Sequence, residues 1–216
     1  MREKEGWITQ QYGLLAPQVV KNLESRHFEA YYCKDREEAA AKALSLIPAG
    51  ALVSWGGSVT LRETGIIDRI YEAGFKVIDR DKAESPEEKF ELGRQALLCD
   101  CFLAGINAIA EEGILVNIDG LGNRVAATIY GPKSVILVAG MNKVRKTLED
   151  ARSRARCYAA PVNAQRVGVK NTPCALTGSC GNCKSADSIC TFIAETRLCR
   201  PAKRVKVILV GENLGF

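Results

Sequence analysis

From residue 27 onward the chain alternates short apolar runs with amphipathic stretches. "HFEAYYCKD" (27–35) predicts a strand, and "DREEAAAKALSLI" (35–47) an amphipathic helix stopped by Pro48 and Gly50. "ALVSW" (51–55) predicts a buried strand that runs into Gly56 and Gly57 and then a helix over 60–74. Thr60 and Glu63 there carry the hydroxyl and carboxylate spacing of a capping box. "FKVID" (75–79) predicts the next strand, and "SPEEKFELGRQALL" (85–98) a helix with Ser85 as N-cap and Pro86 at its first position. An N-terminal helix precedes the series.

The second half repeats the alternation more tightly. "CDCFLAG" (99–105), "ILVNID" (114–119) and "SVILVAG" (134–140) predict apolar strands, and "GNRVAATIY" (122–130) a short helix. "NKVRKTLEDARSRAR" (142–156) predicts a charged helix beginning at Asn142, and "VKVILVGENLGF" (205–216) a closing strand. Strands this apolar, alternating with helices, predict an α/β protein with a mostly parallel sheet covered on both faces. Residues 160–200 lose the alternation. We read 1–216 as one domain, with a cysteine-rich loop at 172–199 inserted before the last strand.

Composition narrows the picture. Hydrophobic residues make 47% and charged residues 25% of the 216, as in an average globular protein. The start, "MREKEGWITQQYG", has no apolar core of a secretory signal, and no apolar run is long enough to span a membrane, so a cytoplasmic protein is expected. That placement, and the odd count of nine cysteines, disfavour structural disulfides. The net charge of +5 gathers at "RSRAR" (152–156) and "RPAKRVK" (200–206) without an aromatic-rich motif beside it, so nucleic acid is not the expected partner. His27, the single histidine, lies apart from every motif and reads as a surface or strand-edge residue; a histidine-based triad is excluded.

Three segments could carry chemistry. "TPCALTGSCGNCKSADSIC" (172–190) places Cys174, Cys180, Cys183 and Cys190 within 17 residues, separated by small and turn-forming residues. Four thiolates so close repel one another unless a metal neutralises them, and they are expected to converge on one centre. Only one Cys-x2-Cys pair is present, so an iron–sulfur cluster is favoured over structural zinc. Cys199 is a replacement candidate for Cys190; Cys33, Cys99, Cys101 and Cys157 are read as small core hydrophobes.

"SWGGSVTLRE" leads a strand through two glycines into a helix start, an arrangement that offers backbone amides to an anion, with Gly56, Gly57 and Ser58 as donors. "NIDGLGNRVA" repeats the arrangement, with Asp119, Gly122, Asn123 and Arg124, although the spacing departs from a dinucleotide fingerprint. Asn107 adds a polar group from a neighbouring strand end. The two glycine turns are expected side by side at the carboxyl ends of adjacent strands, preferring a carboxylate or phosphate. Arg124 is expected to dominate binding while contributing little to stability.

"WGGSVTLRETG", "FLAGINAIAEEGILVNIDGLGNRVAA", "VILVAGMNKV", "APVNAQR" and the cysteine loop together resemble the LUD-domain family of lactate-utilisation proteins, in its short form with a cysteine loop near the C-terminus. The resemblance spans nearly the whole chain. It implies the Rossmann-like three-layer α/β/α sandwich of ribose-phosphate isomerases, glucosamine-phosphate deaminases and CoA transferases. Family members act in oxidising L-lactate to pyruvate beside iron–sulfur partner proteins. The implied function is a redox accessory or subunit carrying a 4Fe–4S cluster and taking a small anionic organic acid. The alternative is a non-redox enzyme or binding protein for a phosphorylated or CoA-linked molecule, with zinc stapling the loop. Self-association into a homo-oligomer is left open. The sugar isomerases usually place an aspartate where this chain has Asn107, and an amide cannot act as general acid or base, so isomerase chemistry is not carried over.

Overall fold

Successive side chains of a strand point to opposite faces, and the central strands here are apolar on both. In β4 (Cys101–Gly105), Phe102 and Ala104 enter one core while Cys101 and Leu103 enter another. In β7 (Ser134–Gly140), Val135, Leu137 and Ala139 divide from Ile136 and Val138 in the same way. β10 (Val205–Val210) repeats the pattern. Such strands must be covered on both sides, and the computed structural model, which describes residues 2–216, covers them with helices.

With β1 (Glu29–Cys33), β2 (Leu52–Trp55) and β3 (Lys76–Ile78) these strands form a six-stranded sheet in the order β1-β10-β7-β4-β2-β3, every neighbouring pair parallel. On one face lie α1 (Arg2–Ser25), through Ala16, Val19 and Leu23, and α6 (Asn123–Ile129), through Ala127. On the other lie α2 (Arg36–Ser45), α3 (Val59–Glu63) and α4 (Ile66–Glu72), through their alanines, Leu61, Ile66 and Ile70. The fold is a three-layer α/β/α sandwich. α5 (Pro86–Gln95) starts as expected, its N-cap Ser85 Oγ accepting the Glu88 amide at 3.1 Å. Among the described residues no helix is long and apolar enough to cross a membrane.

A second sheet, in the order β8-β5-β6-β9, is built from β5 (Ala108–Ala110), β6 (Leu115–Asp119), β8 (Val144–Arg145) and β9 (Phe192–Thr196). Its pairings are antiparallel except β5 with β8. It packs on α7 (Leu148–Arg154), where Ala151 meets Val116 and Ile118 in a third apolar cluster. "ILVNID" therefore does not continue the parallel sheet: the Glu111–Gly113 turn folds it back on β5 as a hairpin.

Three local expectations are corrected. The helix over 60–74 breaks into α3 and α4 at Gly65, which takes φ +67°, and its N-cap is Ser58, not Thr60. The charged helix does not begin at Asn142. The Asn142 side chain instead accepts the Leu214 amide and its carbonyl accepts Arg145 and Arg154, which draws the chain into a 3-10 turn and then β8. The helix starts at Leu148 with a Thr147–Asp150 capping box and runs on into α8 (Ala160–Val167). Helix and strand thus occupy much of 160–200. Cys33, Cys99 and Cys101 are buried, but Cys157 is exposed. His27 is exposed at the turn into β1.

The basic clusters are used internally. Arg152 pairs with Glu149 and Glu195, and Arg154 is buried against backbone carbonyls. Arg204 donates to the carbonyls of Ala127, Thr128 and Pro132.

Candidate functional site

Between the carboxyl ends of β2 and β4, the end of β6 and the start of α6 lies a cavity of about 280 Å³. Gly57, Ser58, Asn107, Asp119, Asn123 and Arg124 line it, so six of the eight residues read from the sequence do come together. The turns carrying them converge from two different sheets, however, and not from adjacent strands: β2 pairs with β3 and β4, and β6 with β5 and β9. Gly56 and Gly122 do not line the cavity. Gly56 donates its amide to the Leu103 carbonyl and lies against the aliphatic stem of Arg124. Gly122 takes φ +84°, which a side chain would strain, and so turns the chain into α6.

Local chemistry redistributes the expected roles. The Ser58 hydroxyl accepts the Leu61 amide at 3.3 Å, and the Asp119 carboxylate accepts the amides of Arg124 and Val125 at 3.0 and 3.1 Å. Those first-turn donors are therefore spent on capping, and helices as short as α3 and α6 add little dipole. Arg124 is not a solvated helix residue. Its side chain is 16% exposed and donates to Asn107 Oδ1 at 3.0 Å, to the Ile118 carbonyl and to the Gly105 carbonyl at 3.5 Å. Burial lowers its pKa, opposed by Asp119 and assisted by Arg80 and Arg166. Arg124 ties the ends of β4 and β6 together, so its loss is now expected to cost stability, where the sequence reading expected little change. Asn107 is a second junction: Oδ1 also accepts the Ile118 amide at 3.0 Å, and its carbonyl accepts Arg154.

The cavity also draws in residues that sequence reasoning missed: Arg80, Lys143, Arg166 and Thr60. Arg80 sits in the turn after β3 beside Gly57, and its Nε is buried without a partner among the described residues. Arg166 projects from α8 at the rim, its Nε donating to Asn163 at 2.8 Å. Lys143 follows the carboxyl end of β7, is 3% exposed, and donates to Thr60 Oγ1 at 2.8 Å. With Arg124, four basic side chains line the cavity against one acidic side chain, Asp119, which is itself engaged. Strand-end position was the available signal for Lys143, because open α/β sheets bind ligands there.

The four cysteines line a second, smaller cavity of about 70 Å³ together with Arg156, Pro161, Ile189 and Ile193. Cys174 lies in the first turn of α9 (Pro173–Thr177), capped by the Thr172 hydroxyl. Gln165 of α8 holds the carbonyls of Cys174 and Ala175, and Arg156 holds Asn182. Burial and the three neighbouring thiols, Cys180 first, push Cys190 up to about 11. All four are partly exposed, and none is joined in a disulfide. They frame one void without meeting at a point: among the described residues no three His, Cys, Asp or Glu side chains are placed to hold a single metal ion. Cys199 is not part of this frame. It is buried in the sheet core and accepts the Val205 amide.

The two cavities share a wall. Ile189 lines both, and a β-carbon at Gly120 would stand 3.4 Å from the Ile189 Cα. A third, apolar groove of about 660 Å³ adjoins the first at Arg80, Leu121 and Asn123.

Comparison with known proteins accords with this architecture. The family model described as the LUD domain matches residues 16–210. A DUF162 family protein from Deinococcus radiodurans is similar in structure, with a TM-score of 0.54 at 13% identity, covering 92% of this chain and 97% of that one. Ribose 5-phosphate isomerase A from Neisseria gonorrhoeae aligns with a TM-score of 0.38 at 14% identity over 82% of this chain and 92% of that one. No curated protein matches by sequence.

Proposed function

The chain belongs to the LUD domain family, and from that premise we propose that it is a redox accessory of lactate-utilisation type, binding a small carboxylate beside an iron–sulfur cluster. The observation that carries this reading is the shared wall at Ile189, one residue before Cys190. A molecule in the larger cavity and a group held by the cysteines would be separated by the thickness of a single residue.

Residues of both cavities support the reading. Arg80 Nε, buried and unpartnered, and Arg124 and Lys143, partly or fully withdrawn from water, would favour a carboxylate over a neutral ligand. Asn107 lines the same space, and with its oxygen occupied by Ile118 and Arg124 its Nδ2 is the group it would have left to donate. On the other side, an all-thiol donor set around one void suits a cluster of several irons. A single zinc would require the four sulfurs to draw in to about 2.3 Å from one centre. Cys174, Cys180, Cys183 and Cys190 would be the ligands, and the cluster would supply one-electron transfer when bound. Arg156 lines the same void and would offset part of the thiolate charge.

Iron and acid-labile sulfide analysis of anaerobically reconstituted protein tests the second half of this reading, and calorimetric titration with lactate, pyruvate and phosphate tests the first. Equimolar iron and sulfide with visible absorbance is the expected result. Colourless protein carrying one zinc would overturn the cluster, and failure to bind any of the three anions would overturn the carboxylate site.

A further inference from the structure

Lys143 is the least expected member of the cavity. In sequence it looks like a surface charge of a helix; in the structure it hangs from the 3-10 turn after β7 with its side chain inside. Its hydrogen bond is to the hydroxyl of Thr60, which is equally buried. Burial first, and then the Arg154 and Arg124 guanidiniums, push its pKa down to about 7 against an opposing contribution from Glu63. Glu63 does not reach it as a partner, because its carboxylate accepts the Gly215 amide at 2.6 Å. Gly215 lies close against the amine: a β-carbon there would stand 3.1 Å from Nζ and 2.5 Å from Thr60 Oγ1. The absence of a side chain at 215 keeps the amine open to the cavity.

A desolvated lysine flanked by cations, at the floor of a cavity that attracts carboxylates, has the features of an amine nucleophile. We propose that Lys143 condenses with the ketone of a 2-oxo acid seated in this cavity, forming an imine and releasing one water. The proposal rests on the carboxylate site described above and does not need the cysteine cradle. The nitrogen lone pair attacks the carbonyl carbon, and the carbonyl π pair moves to oxygen, which takes up a proton. The nitrogen then loses a proton, with the Thr60 hydroxyl within reach to relay it. Reprotonated at oxygen, the carbinolamine expels water as the C=N bond forms. No electron acceptor is consumed. Arg80, Asn107 and Arg124 line the same cavity as Lys143, and a carboxylate held by them would leave the adjacent carbon, C2, as the one available to Nζ. A 2-hydroxy acid binds the same cations but has no carbonyl to condense, so the amine distinguishes the oxidised member of a 2-hydroxy/2-oxo pair.

Reductive trapping tests this directly. The protein is incubated with pyruvate and sodium cyanoborohydride, and the product is read by intact mass and peptide mapping. The expected result is one reduced adduct on the peptide carrying Lys143, absent in Lys143→Arg and absent when lactate replaces pyruvate. Its yield should rise as pH passes about 7, where the amine loses its proton. Calorimetric binding of pyruvate without an adduct, or an equal adduct in Lys143→Arg, would overturn the imine while leaving the carboxylate site standing. Binding of neither acid, with no adduct, would remove both. An adduct at Lys143 in protein that takes up no iron would keep the amine and remove the cluster.

Discussion

The basic cavity and the cysteine cradle meet at Ile189, yet they are held in opposite ways. The cavity is walled by strand ends and helix starts whose polar groups are bonded to one another before any ligand arrives. Arg124 spans β4 and β6, Asp119 caps α6, and Lys143 rests on Thr60. The cradle is a loop between α8 and β9 whose cysteines are all partly exposed, with Cys190 alone packed at the margin of an apolar cluster. Side-chain bonds from Gln165 and Arg156 position its start and its middle but add no core. One site is preorganised by the fold. The other has little core beneath it, and under the proposed reading a bound metal would supply the missing folding energy.

The largest effect that would break this contrast is at Cys183. Cys183→Ser should abolish metal uptake while shifting the unfolding free energy of the apo protein by less than about 0.5 kcal/mol, because no core contact is lost. Metal analysis beside a denaturant titration checks both halves, and a variant retaining its full metal content would defeat the assignment. Arg124→Ala should behave in the reverse manner. It leaves Asn107 and two carbonyls short of their donor, so unfolding free energy should fall by about 2–4 kcal/mol and anion binding should fall with it. Unchanged stability in urea would mean that Arg124 is not the brace we describe.

Arg80→Ala separates binding from bracing inside the cavity. Its guanidinium has a buried nitrogen with no partner to lose, so carboxylate affinity should drop about tenfold, or about 1.4 kcal/mol, with little change in stability. Calorimetry on the wild type and the variant reads this, and equal affinities would place the anion elsewhere. The remaining effect is a slope with pH, smallest when read over a single pH unit. The folded pKa of Lys143 lies near 7 and the unfolded value near 10.5, so between those pH values the unfolded chain holds more protons than the folded one. Wild-type stability should therefore rise relative to Lys143→Met as pH increases through that window, by at most about 1.4 kcal/mol per pH unit, and be lowest below it. Parallel denaturation midpoints of the two proteins across the window check the sign; a flat difference would mean that the buried amine is not titrating there.

Much of the sandwich was legible because its strands announce themselves. "SVILVAG" and "VKVILV" are apolar at both parities, a pattern satisfied in water only by cover on two faces. "ILVNID" carries the same signal and joined a different sheet. Which sheet a buried strand enters is decided by the hairpin at Glu111–Gly113 and by the edge that β9 offers for pairing, and neither is marked in the run itself. The helix expected from Asn142 failed for a related reason: Leu214, at the far end of the chain, recruits the Asn142 side chain away from it.

The two sites divide along the same line. The cysteine loop was readable because its four thiols lie within one short segment, so local spacing alone brings them near one another. The charge of the larger cavity was not. Arg80, Arg124, Lys143 and Arg166 come from four separate segments, and of these only Arg124, beside its glycine turn, stood out in the chain; the other three look like ordinary surface cations. Sequence by itself determined the parallel core, the glycine turns and the thiol cluster, since each depends on neighbours a few residues apart. Only the tertiary structure decided that Arg124 is a brace, that Cys199 is core and that Lys143 is buried. Desolvation and long-range hydrogen bonding are properties of what folds over a residue, and the crossovers of an α/β sheet bring that cover from far along the chain.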